Sequence, residues 1–305
     1  MESLRIPPAW RDVWISPDPR ARLQATGIDA AGRRQYLYHP EYRAAQERAK
    51  FERLVRFGER LPALREAMSA DMELDRDERD RVCAIALRLV NEAWFRVGSE
   101  RYARSSRTFG ITTLRRRHVT VRDSRIELRF RAKHGVLVRS TLVDEELAEA
   151  VSDLLEQPGD SRVFRYRNGE RLVPLTGAVL NEYVRRWLGE EFTTKDFRTW
   201  GGTLAAAVAL AERGPAGTQA ETKRAVAAAM RAAATALGNT PAVVRSSYVS
   251  PAVVEQYLDG RTLEDFRARR LRVVRARDSG LDPEERALLS LLRSWRIRNG
   301  RAQVA

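Results

Sequence analysis

From Leu237 to Pro251 the chain reads LGNTPAVVRSSYVSP. Three of its side chains could do chemistry together: Asn239 at a Gly-Asn-Thr-Pro turn signal, Arg245, and Tyr248 between serines and a proline. A tyrosine phenol has a pKa of about 10. Cationic and amide donors beside it lower that value and make the oxygen a nucleophile able to attack phosphorus. Taken alone, such a tyrosine is in most proteins an amphipathic packing residue. Which reading holds depends on what the rest of the chain sets beside it.

The 305 residues suffice for one large domain or two modest ones with a real core, and 43% of them are hydrophobic. Lys and Arg number 55 against 41 Asp and Glu, a formal charge of +14, and the excess runs through almost every segment. Spread in this way, it favours a polyanion lining a folded surface over a disordered basic arm. A membrane surface is the rival partner, but the sequence has neither an apolar run of about 18 residues nor a signal peptide. The one cysteine, Cys83, falls in an apolar stripe and cannot form an internal disulfide. With only His39, His118 and His134 besides, no Cys/His spacing reads as a metal site. The expectation is an intracellular protein that works without a metal or other cofactor.

Such a site needs elements to hold it. The opening LRIPPAWRDVWISPDP, with paired prolines and a short alternating run, suggests an edge strand and a loop. Turn signals at Gly27 and Ala30–Gly32 then predict a hairpin from Leu23–Ala25 and Arg34–Tyr38. Tyr36 and Tyr38 share one face of its second strand, beside Arg33 and Arg34. Aromatics interleaved with arginines can stack on bases or sugars while the cations meet phosphates; an ordinary hairpin with one packed face fits as well. Glu41–Met68 reads as helix with a break at Leu61-Pro62. Charge rises over Ser69–Asp77, which puts the domain boundary there: a module of residues 1–72 and a domain of 73–305.

In the second domain, Asp75 and Glu78 resemble a capping box ahead of a core helix running to about Phe95, with Arg96 emerging where it meets a loop. His118–Arg122, Arg125–Arg131 and Val136–Leu142 predict a three-stranded antiparallel meander, with Lys133 at the tip of its second turn. Amphipathic helices are predicted over Val143–Gln157 and Val179–Leu188. Thr194 can cap the next helix, whose first turn holds Lys195, Arg198 and Thr199. An arginine at a helix start opposes the dipole and needs an anionic partner; a broken local rule of this kind often marks function. Further helices are expected at Glu221–Leu237, Pro251–Leu258, Thr262–Arg277 and Pro283–Ile297. The class is α+β: a small β-rich module, then a mostly α-helical domain carrying the meander.

The order Arg96, Lys133, Arg198, Asn239, Tyr248, with the words GRRQYLY, FGITTLRRRHV, KDFRTWGGT and LGNTPAVVRSSYVSP, resembles the type IB DNA topoisomerases of the poxvirus and bacterial branch. The resemblance runs from IPPAW to beyond Tyr248. It implies the catalytic fold shared with tyrosine recombinases, and a monomer that closes around double-stranded DNA in the cytoplasm, on the nucleoid. It also implies relaxation of supercoils without ATP or metal, through a 3′-phosphotyrosyl link. Tyr248 would be the nucleophile, Arg96 and Arg198 the forks on the non-bridging oxygens, Lys133 the acid for the 5′-oxygen, and Lys195 an auxiliary lysine. A poor alkoxide leaving group does require an acid. Asn239 stands where many relatives have histidine; an amide can donate to a phosphoryl oxygen but cannot move a proton. Arg33, Arg34, Tyr36 and Tyr38 match DNA-contacting positions, and Arg101 and Tyr102 a further pair. In relatives a strand-rich stretch precedes the IPPAW word, whereas this chain begins five residues before Ile6: either the N-terminal sheet is smaller here or this start is late. Tyrosine recombinases share the Arg, Lys, Arg, Tyr chemistry but typically show His-x-x-Arg where this chain has Lys195-Asp196-Phe197-Arg198. A catalytically inactive DNA-binding relative is the other alternative, and the presence of all five residues opposes it.

Overall fold

The computed structural model describes residues 4–267 and 280–302. Contacts divide the chain into two compact units, Met1–Arg53 and Leu54–Ala305. In the first, strands β1 (Arg11–Ile15), β2 (Leu23–Ile28) and β3 (Arg34–Tyr38) form an antiparallel sheet in that order, and helix α1 (Pro40–Glu52) follows. Pro40 opens α1, where its missing N–H costs nothing.

The helical break expected at Leu61-Pro62 lies instead at Arg53, and Pro62 sits inside α2 (Leu54–Met72). The proline removes one backbone bond, but the face of Leu54, Phe57, Leu61, Leu64 and Met68 is buried and holds the helix by packing. Truncating a side chain such as Phe57 to alanine costs about 3–5 kcal/mol. Phe57 meets Phe192, Phe197 and Trp200 at centroid distances of 5.7, 5.1 and 5.9 Å. Accordingly α2 goes with the second unit, and not with the module expected to end at residue 72: the charged stretch Ser69–Asp77 is the end of α2 and the turn that leads to the next helix. The following helix, α3 (Arg79–Ala93), starts at Glu78 without a side-chain cap, so the expected capping box does not form.

After α3 come a short helix α4 (Glu100–Ser105), strands β4 (Val119–Arg122), β5 (Arg125–Arg131) and β6 (Leu137–Val143), and helix α5 (Glu145–Glu156). The meander pairs antiparallel in sequence order, and Ile126, Leu128 and Phe130 of β5 join the core with Leu147 and Val151 of α5. A hairpin of β7 (Arg165–Asn168) and β8 (Arg171–Pro174), not expected from sequence, precedes α6 (Gly177–Leu188). Then follow α7 (Thr194–Arg213), α8 (Gln219–Leu237), α9 (Pro241–Ser247), α10 (Pro251–Leu258) and α11 (Pro283–Ala302). Of the helix expected at Thr262–Arg277, Leu263–Phe266 forms a 3-10 turn and residues 268–279 lie outside the described residues.

Candidate active site

Helix α7 starts at Thr193, one residue before the expected cap. The Thr193 hydroxyl accepts from Lys195 N, and its N–H donates to Asp196 Oδ2 at 2.9 Å. Asp196 thus supplies the negative charge that a helix start favours. Arg198 then answers the broken rule in another way. Its guanidinium donates to the carbonyls of Trp94 and, at 2.8 Å, of Leu237. These carbonyls close α3 and α8, whose C-terminal dipole ends attract a cation. Burial, and then the charge of Arg96, pull the Arg198 pKa down to about 10, so it is still cationic at neutral pH.

The Trp94 carbonyl is aimed by an unusual backbone. Trp94 caps α3 in the left-handed region, φ 53°, which costs a non-glycine residue roughly 1–2 kcal/mol. Its indole lies under Gly201, where an added Cβ would stand 2.2 Å from the ring. Two residues on, the main chain of Arg96 is pinned by the FGITT word: Ile111 N donates to Arg96 O at 2.9 Å and Thr112 N to Val97 O at 2.8 Å. Gly110 is required at this crossing, because a Cβ there would meet Arg96 O at 2.4 Å. The half-buried Arg96 side chain donates to Asn239 Oδ1 and, at 3.4 Å, to Gly238 O.

Gly238 ends α8 in the left-handed conformation, φ 57°, and Asn239 N donates back to Ala234 O at 3.0 Å. The Asn239 carbonyl oxygen is taken by Arg96, while its Nδ2 is buried with no partner. Thr240 caps α9 and Pro241 opens it. This short helix, unrecognised in the sequence, carries the chain from Asn239 to Tyr248, which stands at its C-terminal end. Tyr248 is half-buried, with Arg198 Cζ 5.2 Å from its ring centroid. Burial pushes the phenol up, but the charge and hydrogen bond of Arg198, then Lys195 and Arg96, outweigh it, and the pKa ends below its ordinary value of 10.

Thus Arg96, Arg198, Asn239 and Tyr248 come together, with exposed Lys195 close enough to act on the phenol. Lys133 stands apart, exposed on the β5–β6 turn, where His134 and Gly135 follow at φ 64° and 77°. Ala132 and Val136, on either side of that turn, line a cavity of about 230 Å³ that Arg96, Arg198, Leu237 and Gly238 also line. Arg245 points outward on α9, exposed. Arg101 and Tyr102 are exposed on α4. No group of three or more His, Cys, Asp or Glu could hold a metal ion among the described residues, and no described helix is long and apolar enough to cross a membrane.

In the first unit, Tyr36 and Tyr38 lie stacked at 6.3 Å on one exposed face of β3, with Arg34 in the same alternation. Arg33 is held by Asp29 at 2.6 Å; this hydrogen bond is the main reason the Asp29 carboxyl drops to about 2. The register adds a residue that the sequence reading passed over: Trp14 pairs with Thr26, and Thr26 with Tyr36, so the three form one row across the sheet. Trp14 is 49% exposed. Gly201 and Gly202 were also passed over, although adjacent glycines inside a helical pattern signal close approach; a Cβ on Gly202 would lie 3.2 Å from Tyr248 Cβ.

Residues 39–270 match the family model described as the eukaryotic DNA topoisomerase I catalytic core, and residues 1–29 that of the bacterial DNA topoisomerase IB N-terminal domain. A DNA topoisomerase 1B of Acanthamoeba polyphaga mimivirus is 35% identical over 266 residues, covering 84% of this chain and 79% of that protein. With a catalytic-core match over most of its length, this chain belongs to the type IB DNA topoisomerases.

Proposed function

We propose that this type IB enzyme relaxes supercoiled duplex DNA through Tyr248. The phenolate oxygen bonds to a backbone phosphorus as the bond from phosphorus to the 5′-oxygen breaks, leaving a 3′-phosphotyrosyl link and a 5′-hydroxyl. Once the nicked duplex has swivelled, that hydroxyl attacks the same phosphorus and expels the tyrosine. One phosphodiester is traded for another, so no ATP is consumed.

The observation that carries this reading is the state of the two arginines. Arg96 and Arg198 are held by neutral oxygens, those of Asn239, Gly238, Trp94 and Leu237. Their charge is positioned but not neutralised, which suits non-bridging oxygens gaining charge at phosphorus. The unpartnered Nδ2 of Asn239 adds a neutral donor. Lys133 protonates the 5′-oxygen and Lys195 supplies a second cation near the phenol. Arg33, Arg34, Tyr36, Tyr38, Arg101 and Tyr102 contact the duplex away from the scissile phosphate. As the family resemblance implies, the enzyme acts as a monomer on nucleoid DNA in the cytoplasm.

The test is relaxation of positively and negatively supercoiled plasmid in EDTA without ATP. Pure protein that binds duplex yet leaves both plasmids untouched sinks the proposal. Tyr248→Phe is expected to bind DNA and form no covalent adduct; an adduct in that variant places the nucleophile elsewhere.

A further inference from the structure

Thr203 lies on α7 beyond Arg198 and is fully buried, 0% exposed. Its Oγ1 accepts a hydrogen bond from Ser250 N at 3.1 Å. Its single proton lies between two carbonyl oxygens, Thr199 at 2.7 Å in the same helix and Tyr248 at 3.1 Å outside it. A threonine within a helix commonly bonds back to the carbonyl four residues earlier. That habit explains the Thr199 contact and leaves the other two unexplained. One hydroxyl therefore touches the main chain on both sides of Val249, where α9 has ended and α10 has not begun. Ser250 is itself the cap of α10, accepting from Ala252 N at 3.3 Å.

Beside it, Gly202 leaves room for the same segment: an added Cβ would stand 3.0 Å from the Tyr248 carbonyl oxygen and 2.9 Å from Leu237 Cδ1. Helix α7 thus offers a bare patch and a hydroxyl to the backbone of Tyr248, and from its preceding turns offers Arg198 and Lys195 to the side chain.

We infer that Thr203 is a positioning residue for Tyr248. It fixes the tyrosine main chain against α7, and so sets the distance from the phenol to the arginine carried by the same helix. The inference rests on the reading of Tyr248 as nucleophile, and Thr203 acts only through it. Valine in its place keeps the β-branched shape and removes both the acceptor for Ser250 N and the donor for Tyr248 O. Serine keeps both functions.

The experiment follows adduct formation on supercoiled plasmid with enzyme in excess, quenched in SDS, across a pH series, with DNA affinity and thermal midpoint measured alongside. A misplacement of about 1 Å costs up to about 100-fold in rate. Thr203→Val is accordingly expected to slow adduct formation by roughly 10–100-fold and to shift the pH midpoint upward, as the phenol moves off its cations, with DNA affinity unchanged. Thr203→Ser should stay within about 3-fold of the parent rate. A Thr203→Val protein that melts earlier but keeps the parent rate and midpoint overturns the inference, because a merely structural hydroxyl behaves that way. If Thr203→Val does not fold, Gly202→Ala decides. Slowed adduct formation with a raised midpoint supports the positioning role, and parental values overturn it. Tyr248→Phe run in parallel separates the two claims, since an adduct in that variant removes the nucleophile reading whatever Thr203 does.

Discussion

Arg198 donates to the main-chain carbonyl of Leu237 at 2.8 Å, so the fork proposed to meet a phosphate is also a brace on the last residue of α8. With Trp94 on its other nitrogen, the guanidinium spans two helix ends, which a rotatable point charge cannot do. Arg198→Lys is expected to lower the rate of adduct formation by about 100–1,000-fold, the usual cost of an oxyanion donor, with duplex binding retained. Near-parental cleavage by this variant would show that charge alone suffices.

The phenol of Tyr248 lies below its ordinary value because cations outweigh burial. Adduct formation should rise with pH and level off below pH 10. Removing a positive neighbour raises the pKa of an acid, so Lys195→Ala should move the midpoint upward. An unchanged midpoint would mean that the field of this exposed lysine does not reach the oxygen.

Lys133 is expected to matter for the leaving group alone. A substrate whose 5′-bridging oxygen is replaced by sulfur leaves without protonation, and cleavage of it by Lys133→Ala should approach the parental rate, while the oxygen substrate is cut slowly. Equal defects on both substrates would remove Lys133 as the acid.

Trp14 completes a row with Thr26 and Tyr36 whose two aromatic members are exposed. Stacking on a base contributes about 1–3 kcal/mol, so Trp14→Ala should weaken duplex binding by roughly 10-fold. No cation is lost, and the salt dependence should keep its slope. Anisotropy titrations at several ionic strengths check both; a changed slope would contradict a stacking role.

His118 is pushed down to about 4 by burial and by Arg117 and Arg115, and its ring packs on Phe109 and Phe130. Its folded value is below the unfolded 6.5, so the unfolded chain binds the extra proton between those pH values. Stability from this group is complete above about pH 6.5 and lost as pH falls toward 4. Thermal melts should show that decline, and His118→Phe should flatten it.

Much of this arrangement could be read in the chain because it depends on local signals. The alternation around Lys133 predicts the hairpin, and Gly238 marks the end of α8. The resemblance then supplied the grouping of Arg96, Arg198, Asn239 and Tyr248. What escaped depends on distant partners. Pro62 looks like a helix break until the buried face of α2 is known. Arg198 at a helix start called for an anionic partner, whereas the carbonyls of two helix ends hold it. Gly201 and Gly202 have meaning only once Trp94 and Tyr248 lie across them. Helices α4 and α9 and the β7–β8 hairpin were too short for their periodicity to show.

Lys195, Arg198, Gly202 and Thr203 all belong to α7, and this has a mechanical consequence. On the proposed reading, with a strand end covalently attached to Tyr248, torsion in the swivelling duplex would pull on that one bond. The load passes from the tyrosine backbone into α7, and from α7 through Arg198 into the ends of α3 and α8. The attached phosphate, Arg198 and Lys195 would then move as one part, leaving the 5′ end as the part that turns.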